Sequence, residues 1–520
     1  MDFYDKSRNL ICYIYKCGCN CHGLKLNSYD VKTNKFIGDQ HIEDLENFST
    51  NPPNVFKNKV KGIVIDDSTF SSSNNELSRI QFRQSIAKKL SKLQIPFVFI
   101  TNGEISATTV ILAASLQSKL EDTVMTIFTR GQRKDLLIFS FFRKNDGYLF
   151  QNSRTVEIDQ GLTGKEINEE IFKYLKPTKI IFVTDQKADK KFVKLIRTSV
   201  KNCILLENWI SNYLAKGLRE IVKHIYDKNE NQYHIIQTTF AGFGVSDNEM
   251  LTPKDMIFTT KLNQVLPLTK TCTISRNSDK IYLTVSCKSK KTFLPLDELI
   301  VKEKCHKIQL NLSIDENHLP TFHHEAIILP EIKRMPQNLN QKNTNKIPII
   351  GFFDNLSVIC LWNKTKKCYE FSKLWNEMYG KDLFLDFSFQ KPKLSSAVLP
   401  LQKFLVYDLL KIMSMTKEEL KITSSLFKWG FEITEDDENP VLLKFETFDK
   451  IHNAASPAFL MALILKKHKK IIRKETGEKP TKLGLCVFEN YKDSERKKRV
   501  ETGLQESCEL LKIGFMMVEE

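Results

Sequence analysis

Val60-Lys61-Gly62-Ile63-Val64-Ile65-Asp66-Asp67-Ser68-Thr69-Phe70 has a counterpart far downstream in Lys482-Leu483-Gly484-Leu485-Cys486-Val487-Phe488-Glu489-Asn490, and this pair decides how the chain is read. Each opens with a short apolar strand after a Lys-rich approach. A polar loop bearing serine or acid follows, then an amphipathic helix of about five turns, within the ordinary range for globular proteins. A second strand closes the unit, Pro96-Phe97-Val98-Phe99-Ile100 in one and Gly514-Phe515-Met516-Met517-Val518 in the other, with Glu104 and Glu519 just beyond. Strand, helix and strand at this spacing predict a βαβ crossover with a parallel strand pair, so one module is begun twice.

Composition limits what can surround the module. At 520 residues the chain holds three or four domains' worth of core, and 41% apolar with 10% aromatic residues is enough to bury them. No apolar run approaches a membrane span and the first thirty residues carry no long apolar block, so the expected location is the cytoplasm, with the nucleus as alternative. Twelve cysteines scattered along such a chain read as free thiols. The net charge of +16 attracts polyanions in general. Its densest runs, Lys466-Lys467-His468-Lys469-Lys470 and Glu495-Arg496-Lys497-Lys498-Arg499, fall on predicted helices and read as solvated faces. No zinc-finger spacing, basic zipper or aromatic RNA-binding string accompanies them, so nucleic acid is not the expected partner.

Cys17-Gly18-Cys19-Asn20-Cys21-His22 places soft ligands at alternate strand positions. A structural zinc site needs a second ligand pair, and none follows at matching spacing, so these thiols read as small apolar fillers and no metal is expected. His323-His324 reads as a surface pair on a strand end. With no Ser-His-Asp arrangement and no H-E-x-x-H string, no residue is assigned a catalytic role.

Four segments follow one another. Residues 1–58 read as a strand hairpin and a short acidic helix around His41 to Phe48, ending at Asn51-Pro52-Pro53-Asn54, with the first module starting just after. From 60 to 228 short apolar strands such as Ile180-Ile181-Phe182-Val183 alternate with helices such as Asn208 to Tyr226, an α/β pattern. From 232 to 330 strict alternation takes over: Ile281, Leu283, Val285 and Cys287 face one way, Tyr282, Thr284 and Ser286 the other, and Ile308, Leu310, Leu312 and Ile314 repeat it. A half-buried antiparallel β-sandwich fits this. Met335 to Asn345 is polar and patternless and reads as a linker, after which α/β character returns.

This order of pieces resembles the DnaK-type heat-shock chaperone family. That family carries V-x-V-P-A-x-F-x-D-x-Q-R, a helix, and I-N-E-P-T-A-A-A; here Ile63 to Arg79 leads through a helix to Ile100-Thr101-Asn102-Gly103-Glu104-Ile105-Ser106-Ala107-Thr108-Thr109. Met256 to Leu262 and Leu266 to Lys270 are similar to its M-T-K-L-I-x-x-N-T-x-I-P-x-K, and Ser313-Ile314-Asp315-Glu316-Asn317-His318 to its I-D-x-N-G turn. Gln232 to Gln237 stands where the family has its apolar interdomain linker. Ile350 to Ser357 stands at I-G-I-D-L-G-T-T, Val406 to Met413 at V-F-D-A-K-R-L-I, and Lys428 to Phe431 at W-P-F. The resemblance implies α/β plus all-β architecture: a partial actin-like (ribonuclease H-like) ATPase-fold domain at 1–228, a sandwich similar to the substrate-binding domain at 229–334, a polar linker at 335–346, and the opening part of a second ATPase-fold copy at 347–520. One copy would lack its beginning and the other its end.

The resemblance also shows what is missing. Glycine-rich turns let backbone N–H groups approach phosphates with no Cβ in the way. In the first such turn Phe352, Phe353, Asn355 and Leu356 replace small residues. The second is Thr129-Arg130-Gly131-Gln132-Arg133-Lys134-Asp135, and the third, Val183-Thr184-Asp185-Gln186-Lys187, has no glycine. Arg130, Arg133 and Lys134 read as a solvated basic hairpin, and the family's catalytic lysine falls at Leu410. The implied function is a chaperone-like pseudoenzyme that binds unfolded or extended apolar peptides, co-chaperones or other chaperones, with no resident cofactor. The alternative is an ATPase taking ATP and magnesium at a site completed by both copies, where Gly351, Ser357 and Glu104 are the surviving candidate contacts. A basic scaffold for nucleic acid is the remaining alternative.

Overall fold

The structure is a computed structural model and describes residues 3, 7–16, 23–42, 56, 59–68, 76–131, 133–159, 161–185, 187–207, 209–248, 251–276, 278–287, 292–342, 345–395, 403–426, 429–488, 491 and 493–519. The chain is mixed α/β, and one sheet plan recurs three times along it.

The first sheet consists of β1 (Leu10–Lys16), β2 (Leu24–Asp30), β3 (Phe36–Ile42), β4 (Val60–Ile65) and β5 (Phe97–Phe99), in the order β3-β2-β1-β4-β5. β1 to β3 form an antiparallel meander, and β4 and β5 add to β1 in parallel. Every residue of β4 is buried, as a strand covered on both faces requires. Helix α1 (Glu76–Lys92) makes the crossover from β4 to β5. The module therefore does not begin after residue 58: β1 is a partner of β4, and the first copy carries its own opening meander. His41 and Ile42 belong to β3 rather than to an acidic helix, and the rest of that expected helix lies outside the described residues.

Helix α2 (Asn102–Ala113), started by a capping box of Thr101 and Glu104, leads to the second sheet. There β6 (Thr123–Thr129), β7 (Asp135–Lys144) and β8 (Gly147–Glu157) form the meander. Helix α3 (Gly164–Phe172), β9 (Lys179–Thr184), α4 (Lys190–Ser199) and β10 (Cys203–Glu207) complete the same plan, order β8-β7-β6-β9-β10. Helix α2 lies between the two sheets, with Ile105 in the core of the first and Ala107, Val110 and Ile111 in that of the second. Helix α5 (Trp209–Tyr226) crosses α2 and returns to the first sheet. Close approach is possible because Gly217 and Gly62 lack side chains: a Cβ at Gly217 would stand 2.2 Å from Thr109 Oγ1, and one at Gly62 2.6 Å from Val222 Cγ1. Gly217→Ala is expected to destabilise the fold by about 1–3 kcal/mol in urea denaturation, with partial recovery when Thr109→Ala is added. An unchanged midpoint would show that the helices separate freely.

A short strand, β11 (Ile235–Ile236), pairs in parallel with β8 and leads into an all-β unit. One of its sheets contains β12 (Phe243–Ser246), β13 (Met256–Thr259), β15 (Lys280–Cys287) and β16 (Thr292–Ile300); the other contains β14 (Leu268–Ser275), β17 (Lys307–Ile314) and β18 (Pro320–Ile327). Both contribute to one core, including Ile281, Leu283 and Val285 from one and Ile308, Leu310 and Leu312 from the other. The alternation in β15 is present, but Thr284 on its other face is fully buried too. That face is closed from within the unit: Thr284 Oγ1 donates to the Gly244 carbonyl (2.9 Å) and lies 3.6 Å from Met256 Sδ, while Leu77 and Ile80 of helix α1 pack into the all-β core and Ile86, Ala87 and Leu90 on the first sheet.

The stretch expected as a polar linker at 335–346 is largely folded. Helix α6 (Pro330–Lys342) runs through it and buries Ile332, Met335 and Leu339 against the third sheet. Only this narrow stripe at i, i+3 and i+7 is apolar, so the surrounding polar residues masked the helix. The third sheet takes β19 (Ile349–Phe353), β20 (Leu356–Asn363) and β21 (Cys368–Phe371), then, far along the chain, β29 (Lys482–Val487) and β30 (Gly514–Met517), in the order β21-β20-β19-β29-β30. The short β22 (Lys381–Asp382) also pairs with β20. Between β21 and β29 lie β23 (Phe384–Asp386), β24 (Lys393–Ser395) and β25 (Leu405–Val406), helices α7 (Leu409–Ser414) and α8 (Lys417–Leu426), strands β26 (Glu432–Thr434), β27 (Leu442–Glu446) and β28 (His452–Ala455), and helix α9 (Pro457–Thr476). Helix α10 (Ser494–Leu510) crosses from β29 to β30, whose pairing is parallel. Among the described residues no strand of the third sheet pairs with the first two, so the late segment does not complete the early sheet.

Candidate functional site

Asp66-Asp67 directly follow strand β4, and helix α1 beyond them carries Arg79 and Arg83 four residues apart, hence on one face. Both turn back onto Asp67. Arg79 donates from Nε (2.9 Å) and Nη2 (2.7 Å), and Arg83 from Nη2 (2.8 Å) and Nε, so one carboxylate takes two forked guanidinium groups. Arg83 and Asp67 are each 1% exposed. Arg83 is held between Phe99 and Phe240, 5.1 and 4.9 Å from their ring centres, and Arg79 lies 4.1 Å from that of Phe240.

The remaining partners come from the all-β unit. Arg83 Nη1 donates to the carbonyl of Asn317 (2.9 Å), in the turn between β17 and β18, while Asn317 Oδ1 accepts from Phe99 N–H (2.9 Å). The turn therefore satisfies the outer edge of β5, which would otherwise be an open strand edge. Burial alone would raise the Asp67 carboxyl, but the hydrogen bonds and charges of Arg83 and Arg79 overcome it and hold it at about 2. Nearby, burial raises the carboxyls of Asp66, Glu104 and Asp315 and, with both arginines, pushes His318 well below the usual range. Lys228 pairs with Glu316 beside the same turn, and the rings of His224 and His234 stack at 3.6 Å where β11 leaves the α/β region.

A second joint fixes the all-β unit to the third sheet. His306, fully buried before β17, accepts from Leu329 N–H at Nδ1 (2.9 Å), so its Nε2–H donates to the Met378 carbonyl (2.7 Å). Ser275 hydrogen-bonds Asp354 in the β19–β20 turn, with Lys307 3.9 Å away, and Lys304 Nζ reaches Asn376 (3.1 Å). Both joints are filled by protein groups; their chemistry is attachment of one unit to another.

The candidate nucleotide contacts do not converge. Gly351 and Ser357 lie on the adjacent strands β19 and β20, whereas Glu104 caps helix α2 next to the first sheet. A Cβ at Gly351 would meet Phe488 at 2.5 Å and Val358 at 3.0 Å, so this glycine is closed in by packing. Ser357 is fully buried, 2.8 Å from His468 Nε2, and accepts from Trp375 Nε1 (3.0 Å). Leu410 lies in the core of the third unit. Arg130 pairs with Asp135 at 3.1 Å, and Thr129 Oγ1 accepts from Asp185 N–H (3.1 Å). Cys17, Cys19, Cys21 and His22 lie outside the described residues, and on β18 His324 Nε2 sits 3.0 Å from Glu303. No helix among the described residues is long and apolar enough to cross a membrane.

Asp67, Arg79 and Arg83 match no catalytic or binding motif and are not among the candidate residues above. Their signal was present: two arginines at i and i+4 in the helix that follows a buried strand and its paired acids. No protein-family model matches the chain, and no curated protein does either.

Proposed function

We propose that this chain is a chaperone-like binding protein: two tandem actin-like lobes, a client-binding β-sandwich and a third lobe, with ATP hydrolysis lost. The observation that carries this reading is the state of the turns where the resemblance would place phosphate. The β19–β20 turn presents Asp354 and Asn355, both engaged: Asp354 with Ser275, and Asn355 Nδ2 with Asp408 Oδ1 (2.5 Å), while Asp408 N–H donates back to Asn355 Oδ1 (2.6 Å). Side chains occupy the space that glycines would leave for a phosphate, and a core leucine stands at the position of the lysine. The recurring sheet order and the addition of β11 to the second sheet support the family architecture. Leu262, Val265 and Ile300, between 40% and 53% exposed, supply apolar surface on the sandwich for an extended peptide.

Calorimetry of the full chain with ATP and magnesium is expected to give no heat at millimolar nucleotide, and Leu410→Lys is expected not to restore it. A dye-labelled extended apolar peptide is expected to bind with micromolar affinity. Micromolar ATP affinity, or failure to retain any apolar peptide, would overturn the proposal.

A further inference from the structure

The third unit contains a cleft of about 440 Å³, within the ordinary size range of ligand sites, between the approach to β19, the β20–β21 hairpin and the end of α9. Its walls carry both signs of charge, but the carboxylates already have partners. Glu370 accepts from Asn363 (2.7 Å) and Lys366 (2.6 Å). Glu475 accepts from Ser372 Oγ, Lys373 N–H (2.8 Å) and Leu374 N–H (3.4 Å). Glu478 is paired with Lys364 at 2.6 Å. Four lining ammonium groups, those of Lys346, Lys373, Lys479 and Lys482, have no carboxylate within ion-pair distance among the described residues. All four residues are exposed, and Lys346 Nζ lies 5.1 Å from the ring centre of Trp362 in the wall.

We propose that this cleft binds an acidic peptide segment, whose carboxylates meet the four lysines while one apolar or aromatic side chain packs on Trp362. The charges come from three separate stretches of chain: the approach to β19, the segment after β21, and the connection from α9 into β29. The N–H groups of Lys373 and Leu374 are taken by Glu475, so they form no cradle for a phosphate, and the unpaired cations are lysines, point charges without the fork that matches phosphate geometry. Four lysine charges from different stretches of chain, beside one aromatic anchor, suit a chain of carboxylates. The site is separate from the sandwich and stands whether or not the chain binds unfolded clients.

The test uses the full chain and a dye-labelled peptide of about ten residues containing Glu, Asp and Phe, followed by anisotropy. Micromolar binding is expected, weakened at least about tenfold by Lys373→Glu with Lys479→Glu and by Trp362→Ala, and unchanged by Lys498→Glu on α10, which makes a charge reversal of the same kind elsewhere. The two cleft lysines are on the surface, so their reversal tests the site without threatening the fold. Equal weakening by Lys498→Glu, or equal displacement of the peptide by single-stranded RNA, would identify general attraction to the basic surface and overturn the proposal, as would an unaffected Trp362→Ala variant.

Discussion

Asp67→Ala is expected to destabilise the protein by about 3–5 kcal/mol, because it leaves a buried guanidinium group with no counter-charge. Arg83 is 1% exposed and cannot turn to water without opening the contact between β5 and the all-β unit. Arg79, at 17% side-chain exposure, can partly escape, so Arg79→Ala is expected to cost clearly less. The attraction itself is not what makes the pair so sensitive to truncation. Two charges withdrawn from water have each lost hydration, and their mutual attraction roughly restores it; removing one exposes the whole desolvation penalty of the other. Asp67→Leu with Arg83→Met is therefore expected to recover most of the lost stability. The double variant would still lack the hydrogen bond from Arg83 to Asn317, so the all-β unit should separate more readily, with faster proteolysis between residues 227 and 237. A double variant as unstable as Asp67→Ala would show that the charges are intrinsically stabilising. Unchanged proteolysis would show that the joint does not govern the attachment.

That joint also shows how far the residues alone could be read. The two βαβ crossovers were legible, because short apolar strands and a helix of about five turns follow one another within each unit, and local periodicity survives folding. β17 was legible for the same reason: Ile308, Leu310, Leu312 and Ile314 alternate and all four are buried. The membership of β1 in the sheet of β4 was not, since it is a pairing across at least fifty residues that leaves no local mark. Nor was the burial of Thr284, whose partners Gly244 and Met256 come from strands β12 and β13 more than twenty-five residues earlier in the chain. Helix α6 was hidden because a surface helix needs only a narrow apolar stripe when a single sheet receives it. The candidate contacts at Gly351 and Ser357 were chosen by position within a motif. Motif position does not reveal that Phe488 covers one and His468 holds the other.

Acidification from about pH 7.5 to about pH 5.5 is expected to lower the thermal midpoint, through histidines that the folded chain keeps neutral. An unfolded histidine titrates near 6.5. Burial pushes His468 down to about 3, and burial with neighbouring cations pushes His234 down to about 2. His224, His306 and His318 are lowered as well, burial being the leading cause in each. Below 6.5 the unfolded chain therefore binds protons that the native chain refuses, so these groups leave stability intact above that pH and remove it as the pH falls. Each contributes a loss of about 1.4 kcal/mol by pH 5.5 when its folded value lies well below that. Asp66, Glu104 and Asp315 act in the opposite sense: burial raises their carboxyls above the ordinary range of about 4, so they add stability as the pH falls through the raised values. The units should part before they unfold. His306 has its Nδ1 committed to Leu329 N–H and can take a second proton only by giving up that bond, and His318 stands beside Arg79 and Arg83. His306→Gln keeps an N–H to offer the Met378 carbonyl while removing the titrating ring, and is expected to flatten the pH dependence of proteolysis between the all-β unit and the third sheet. His468→Gln should instead reduce proton uptake on unfolding by about one at pH 5.5 and leave that proteolysis unchanged. A thermal midpoint equal at the two pH values would mean that the buried histidines reach solvent in the native chain.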